Sequence, residues 1–322
     1  MAATLHPRRR LYSVLGTVGL IYGRALWTRG SRFRYRSREA YREARRGGRR
    51  LYRRILRLQG LFIKVGQFLS LRVDLFPREF AEELARLQDQ VPPAPYEAIR
   101  ERIVQELGAP PEEIFASFEK APSAAASLGQ VHEARLRSGE RVVVKVQYPG
   151  IEDLVQVDLR ILRRVLRLMR RLQPDLDYET VLSEFGKHVR MELDYANELA
   201  NAERIRAELA DRDDIVIPRF FPDLSTGKVV TLAFVEGIKI TDAERLVAAG
   251  YDLGDITHRV IDCYARQILR HGFFHADPHP GNIFVLPGGR IALVDFGLAW
   301  ELQPAVLAGL AKMAMSLIQQ DA

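Results

Sequence analysis

The sequence predicts an α+β fold in two lobes, a small strand-rich lobe and a helical lobe, with a helical extension placed before them. Three observations carry this prediction. Apolar residues recur at three- to four-residue steps early in the chain, the pattern changes to strand-like alternation after Phe115, and a short late hairpin separates His275 and Asp277 from Asp295. With 322 residues, 47% hydrophobic and 28% charged, the chain is globular and long enough for two lobes or domains.

Residues 1–110 read as the extension. Leu51, Ile55, Leu58, Phe62 and Val65 share a helical face, with arginine at the positions between. Pro77, the run Pro92-Pro93-Ala94-Pro95 and Pro110-Pro111 divide the rest. Residues 111–236 read as the strand-rich lobe with inserted helices. Ala124-Ala125-Ala126-Ser127-Leu128-Gly129-Gln130 leads into an alternating strand from Val131 to Leu136, a Ser138-Gly139 turn, and a strand from Arg141 to Val146 that carries Lys145. Helices are expected near 151–172 and 178–209. If the second is continuous, Asp194 and Glu198 share one face of it while Glu192 points away from both. Short strands follow at 215–217 and 229–235, with a hinge at Glu236-Gly237. Residues 237–322 read as the helical lobe: helices near 242–249 and 253–270, the late hairpin, and a last helix from about Pro304 to Gln319. That is little for a complete helical lobe, so part of one is expected to be missing.

The late segment concentrates the chemistry. Ile283 to Leu286 and Arg290 to Val294 are apolar runs joined by Pro287-Gly288-Gly289, where proline presets a turn and glycine permits positive φ. The hairpin returns Asp295 to the side of Asn282. Phosphoryl transfer requires such an arrangement: a carboxylate to orient an acceptor hydroxyl, and an Asn and a second Asp as hard oxygen ligands for Mg²⁺ on nucleotide phosphates. Asp277 is the candidate base, and Asn282 and Asp295 the candidate ligands. A strand lysine such as Lys145, following a turn-rich lead-in that covers phosphates, fits the same chemistry. Alanine in place of glycine narrows that approach. A hydrolytic His/Asp metal cluster of His271, His275, Asp277 and His279 is the weaker alternative, because Pro278 and Pro280 prevent a helix from aligning the ligands. His275 is expected instead to tether backbone within the loop.

Composition limits the rest. The formal charge of +7 comes largely from arginines dense between Arg29 and Arg57. No zinc-finger spacing or aromatic-interleaved basic motif accompanies them, so an anionic membrane surface is favoured over nucleic acid. The single cysteine, Cys263, excludes an intramolecular disulfide and suits a reducing compartment. The apolar run from Leu11 to Leu26 is interrupted by Arg24 and is short of the roughly 20 apolar residues of a membrane span. A peripheral location at the cytoplasmic face of a membrane is expected.

Four motifs in order resemble the UbiB/AarF family of atypical protein-kinase-like proteins, which includes the coenzyme Q-associated kinases: Lys64-Val65-Gly66-Gln67, the alanine-rich loop Ala124 to Gln130, Val144-Lys145-Val146-Gln147-Tyr148-Pro149-Gly150, and Glu192-x-Asp194. The likeness runs from about residue 50 to 300. It implies a protein-kinase-like fold in which Lys145 pairs with Glu198 and reaches ATP phosphates over the alanine-rich loop. It further implies that Lys64, Glu192 and Asp194 lie over the site where a protein substrate would dock. The implied activity is ATP hydrolysis, or phosphorylation of a small or lipid-like molecule such as a quinone precursor, among ubiquinone-biosynthesis proteins. Two other readings use the same residues. One is a phosphotransferase of the aminoglycoside or choline kinase type, against which the tetrad and alanine-rich loop argue; the other is a non-catalytic pseudokinase scaffold.

Overall fold

The computed structural model describes residues 8–16, 19, 38–70, 77–87, 91–170 and 178–319. The chain divides into two compact units. The first holds residues 1–113, 118–132 and 145–189, and the second holds 114–117, 133–144 and 190–322.

The first unit is built on helices: α1 over residues 8–16, α2 Arg38–Leu58, α3 Leu61–Ser70, α4 Arg78–Ala85, α5 Tyr96–Leu107 and the short α6 Pro111–Ile114. The predicted apolar face of α2 is buried. Leu51, Tyr52, Ile55 and Leu58 pack with Phe62 and Ile63 of α3, Leu84 and Leu87. Gly66 in α3 is required by this packing, because a Cβ there would run into Leu87 and lie 2.8 Å from Ile55 Cδ1. Gln67 reinforces the contact by donating from Nε2 to the Leu87 carbonyl at 3.0 Å. Two members of the Lys-x-Gly-Gln tetrad thus hold helices together.

A buried ion pair anchors α1. Arg10, 3% exposed, donates through Nη1 to the Leu58 carbonyl at 2.6 Å and through Nη2 to Oδ2 of fully buried Asp158 at 2.6 Å. Burial holds the Asp158 carboxyl above its ordinary range despite Arg10, whose hydrogen bonds and charge pull it down. A raised folded value means that the stability linked to this group is present below its unfolded value and lost as pH rises through the folded one. Arg10→Ala removes the strongest lowering influence and raises the folded value further. The variant should lose about 3–5 kcal/mol near neutral pH, with the deficit shrinking as pH falls. Denaturant unfolding at several pH values measures both the loss and its slope.

Strands follow: β1 Ser117–Phe118, β2 Ala124–Ala125, β3 Gly129–Arg135 and β4 Arg141–Gln147, then α7 Ile151–Met169, α8 Tyr178–Glu192 and α9 Tyr195–Glu208. The expected single helix over 178–209 is therefore two helices. Neither proline nor glycine marks the break; Asp194 adopts extended backbone and caps α9 by accepting from the Ala196 N–H at 3.1 Å. The shared face expected for Asp194 and Glu198 does not exist, because Asp194 lies outside the helix that carries Glu198.

The second unit adds β5 Ile215–Val216, β6 Val229–Ala233, β7 Ile238–Lys239, α10 Ala243–Ala248 and α11 Leu253–Arg266, which ends in a π-helical turn at Gln267–His271. After these come β8 Phe273–His275, β9 Ile283–Val285, β10 Ile291–Leu293, β11 Ala299–Glu301 and α12 Pro304–Gln319. One sheet runs β1-β3-β4-β6 with β2 on β3, a second runs β5-β10-β9-β7, and β8 pairs with β11. β5 lies parallel to β10, Ile291 opposite Ile215. Arg212 fixes that edge by gripping both carboxylate oxygens of Asp214, at 2.6 and 2.7 Å. The proposed hinge glycine, Gly237, is a point of close approach instead: a Cβ would lie 2.9 Å from the Val285 carbonyl. Val230, Leu246, Ile256, Cys263, Ile291, Leu293 and Phe296 belong to the core of this unit.

Candidate functional site

Asp277, Asn282 and Asp295 lie in one frame in the second unit. The hairpin predicted from Pro287-Gly288-Gly289 forms, with Leu293 opposite Ile283 and Gly288 at φ 80°. Beyond the pairing, the Val294 N–H donates to the Asn282 carbonyl at 2.9 Å, which brings Asp295 beside Asn282. On the other flank β8 pairs with β11, Ala299 opposite His275, and the Ala276 N–H donates to the Leu298 carbonyl at 3.0 Å. Residues 276–282 and 294–298 are thus two facing segments tied at both ends. Asp277 sits in the first and Asp295 in the second, and both are partly exposed.

His275 ties the two segments across the middle. It is 1% exposed, and its Nε2 donates to the Asp295 carbonyl at 2.7 Å. A carbonyl can only accept, so the proton is on Nε2 and Nδ1 is left facing the Tyr264 hydroxyl at 3.3 Å. The Gln267 side chain holds the other face by accepting from the His275 N–H at 3.0 Å. This is the tethering role expected for His275, and both ring nitrogens are used by it. His279 Nδ1 likewise accepts from the Gly281 N–H at 3.1 Å. Among the described residues no group of three or more His, Cys, Asp or Glu side chains could hold a metal. Burial raises the Tyr264 phenol above its ordinary value, and the charges of Cys263 and Asp277 act in the same direction.

Asp295 adopts a left-handed backbone, φ 65°, which is sparsely populated by residues other than glycine. Its neighbours hold it there. Phe296 is fully buried, edge-on to His275 at 5.3 Å between ring centroids, and its carbonyl accepts from Asn201 Nδ2 at 3.0 Å. The sequence alone assigns Asn201 no role. It lies three residues after Glu198 on α9, and Glu198 itself is 2% exposed.

The donor set fits a magnesium nucleotide. Asn282 and Asp295 supply two hard oxygen groups at adjacent backbone positions, and Mg²⁺ commonly takes one or two protein ligands with phosphates and water completing the shell. A cage of protein ligands is not needed for this ion.

In the first unit, Ala124 and Ala125 pair with Val131 and Gln130, and the Ala126 N–H donates to the Gly129 carbonyl at 2.8 Å, closing a hairpin around Ser127 and Leu128. No residue from Ala124 to Gln130 has positive φ, so alanine meets no backbone demand that glycine alone could satisfy. The loop is held from behind. Tyr148 donates its hydroxyl to the Ala126 carbonyl at 3.2 Å and its N–H to the Leu128 carbonyl at 3.0 Å.

Gln130 had been expected among the nucleotide contacts, yet its side chain is fully buried and used elsewhere. Oε1 accepts from the Ala94 N–H at 2.7 Å, and Nε2 faces His132 Nε2 at 2.9 Å. It anchors the proline-rich segment to the loop. Lys145 lies partly buried on β4, and Lys64 partly buried on α3. Lys64 and Lys145 belong to the first unit; Glu192, Asp194 and Glu198 belong to the second. Asp194 is exposed as the cap of α9, and Glu192 ends α8. Arg72 and Asp74, downstream of the tetrad in sequence, lie outside the described residues.

A loop carrying Asp277 and Asn282, a return hairpin, and a buried Phe296 behind a left-handed Asp295 define a kinase-like site. The model of the ABC1 atypical kinase-like domain matches residues 86–322, and the chain belongs to that family. It is 40% identical over 274 residues to the Arabidopsis thaliana protein ACTIVITY OF BC1 COMPLEX KINASE 8, chloroplastic, covering 83% of this chain and 36% of that protein. An uncharacterized aarF domain-containing protein kinase of Arabidopsis thaliana, chloroplastic by name, is 35% identical over 269 residues, 83% of this chain and 38% of its own length. Among solved structures, the Rv3197–erythromycin complex from Mycobacterium tuberculosis aligns with a TM-score of 0.57 and 32% identity, covering 74% of this chain and 60% of that one. The chain therefore spans well under half the length of these two curated relatives. No helix among the described residues is long and apolar enough to cross a membrane.

Proposed function

We propose that the chain binds Mg-ATP and transfers its terminal phosphoryl group to water or to a small or lipid-like acceptor, in support of ubiquinone biosynthesis. The observation that carries this reading is the frame in which Val294 bonds Asn282, Ala276 bonds Leu298 and His275 bonds Asp295. Those three ties link the segment that carries Asp277 and Asn282 to the one that carries Asp295, which supports reading the three as base and oxygen ligands of one site. Lys145 and Glu198 are the residues this reading assigns to the nucleotide phosphates, with the backbone of the hairpin from Ala124 to Gln130 as their cover. Bound magnesium supplies charge neutralisation between the phosphates. Asp277 orients the acceptor hydroxyl and takes its proton. Lys64, Glu192 and Asp194 are assigned to restricting a protein substrate, so protein phosphorylation in trans is disfavoured.

The same reading places the protein peripherally on an anionic membrane, at its cytoplasmic face. On α2, Arg42, Arg46, Arg50 and Arg53 are exposed and fall within an arc of about 80° at 100° per residue. Arg45 and Arg49 are drawn aside by buried Glu83, at 2.8 and 2.9 Å. At roughly 1 kcal/mol per basic residue near such a surface, Arg42→Glu/Arg46→Glu/Arg50→Glu should lower the partition onto phosphatidylserine vesicles more than about 100-fold in co-sedimentation, with no loss on neutral vesicles.

The experiment that tests the activity is Mg²⁺-dependent ATP turnover by the purified chain, with and without anionic vesicles and quinone-precursor phenols. Turnover stimulated by either additive supports the reading. Nucleotide binding with no turnover under any condition leaves a scaffold, and rapid phosphorylation of an aminoglycoside or choline favours a soluble-substrate phosphotransferase.

A further inference from the structure

Side chains from two different elements, β8 and α9, donate to successive carbonyls of the Asp-Phe-Gly segment. His275 donates to the Asp295 carbonyl at 2.7 Å, and Asn201 of α9 donates to the next carbonyl, that of Phe296, at 3.0 Å. Between these two bonds lie the backbone rotations of Phe296, so the pair of bonds restrains the peptide planes that follow Asp295 and, through them, how the residue carrying the carboxylate can turn. That residue is left-handed at φ 65°, a conformation costing of order 1–3 kcal/mol unless its surroundings impose it. A contact within the segment is weaker: the Gly297 N–H reaches Asp295 Oδ1 at 3.4 Å. Buried Phe296 fixes position through its contacts with His275 and Phe220, but a ring in an apolar core does not by itself set the orientation of the neighbouring peptides.

We infer that Asn201 is a positioning residue for Asp295, and that it links the seating of α9 to the aim of the metal-binding carboxylate. The bond spans 95 residues of sequence. α9 also carries Glu198 one turn earlier, 2% exposed. A displacement of this helix along its axis therefore moves Glu198 and the hold on Phe296 together, so one rigid element reports to both. The inference rests on the reading of Asp295 as a metal ligand. It adds that the ligand's geometry is set from a helix outside the catalytic loop.

The test is a Mn²⁺ titration by electron paramagnetic resonance with the non-hydrolysable analogue AMP-PNP, alongside analogue binding in EDTA, on the full chain. Outer hydrogen-bond partners of metal ligands commonly alter affinity by about 10–100-fold. Asn201→Leu, which keeps the volume and removes the donor, should weaken Mn²⁺ at least about 10-fold while metal-free analogue affinity changes less than about 2-fold. Asn201→Ser, smaller and less disruptive if the leucine variant misfolds, should show the same split. In the metal-free protein, amide hydrogen exchange of residues 294–298 should also accelerate in both variants. Unchanged Mn²⁺ affinity in a folded variant overturns the inference, as does an equal loss of metal and metal-free binding. Asp295→Asn separates the two levels. If that variant loses Mn²⁺ while Asn201→Ser does not, Asp295 is a ligand and Asn201 does not position it; if wild type binds no Mn²⁺ with the analogue, the reading of Asp295 falls and the inference with it.

Discussion

Asp295→Asn should abolish Mg²⁺-dependent nucleotide binding, weakening the Mg-ATP complex by at least about 1000-fold in a thermal-shift or calorimetric titration while metal-free binding survives. The substitution keeps size and shape and removes one negative charge from the proposed metal ligand, where the charge of a bound divalent ion would dominate the local electrostatics. It also spares the backbone. Asn tolerates left-handed φ nearly as well as Asp, and the bond that defines the segment runs from His275 to the carbonyl of residue 295, which the change leaves in place. Stability without ligand should therefore move by less than about 1 kcal/mol, within the usual range for a substitution that creates no cavity. Nucleotide affinity that is equal with and without Mg²⁺ in both proteins would remove Asp295 from the site.

Much of this geometry was legible in advance because its signals are local. Pro287-Gly288-Gly289 between two apolar runs specifies a turn, and a hairpin of known length brings Asp295 back to Asn282 whatever the rest of the chain does. The helical face of Leu51, Ile55 and Leu58 was legible for the same reason, since it needs only a period of 3.6. Features that depend on partners far along the chain were not. Gln130 reads as one more loop residue until Ala94, 36 positions earlier, is found against its amide. Gly66 reads as a tolerated helix glycine until Leu87 arrives where its Cβ would be. The break between α8 and α9 is an intermediate case. No proline or glycine announces it, but Asp194 is a favoured N-cap residue, and weighing that preference against a long apolar period would have shortened the predicted helix. Asn201 was invisible for a different reason. A side chain that donates to a main-chain carbonyl leaves no pattern in either partner's residue type.

Asp277→Asn should separate binding from chemistry. The side chain is partly exposed in a loop whose backbone is fixed at Ala276 by the Leu298 carbonyl and at Asn282 by Val294, so loss of its charge leaves the frame standing. Its neighbour Tyr264 should respond instead: the Asp277 charge contributes, after burial and Cys263, to holding that phenol above its ordinary value. Removing the charge lowers the Tyr264 pKa, and ultraviolet titration of the phenol at high pH measures the change in sign. A positioned base contributes about 100- to 10,000-fold to a proton-transfer step. Turnover of the variant should accordingly fall by about 1000-fold, with Mg-ATP affinity within about 3-fold of wild type, the signature of an interaction made in the transition state and not in the ground state. Equal turnover in the two proteins would mean that the acceptor proton leaves by another route, and a parallel loss of affinity would mean that Asp277 belongs with Asn282 and Asp295 on the metal.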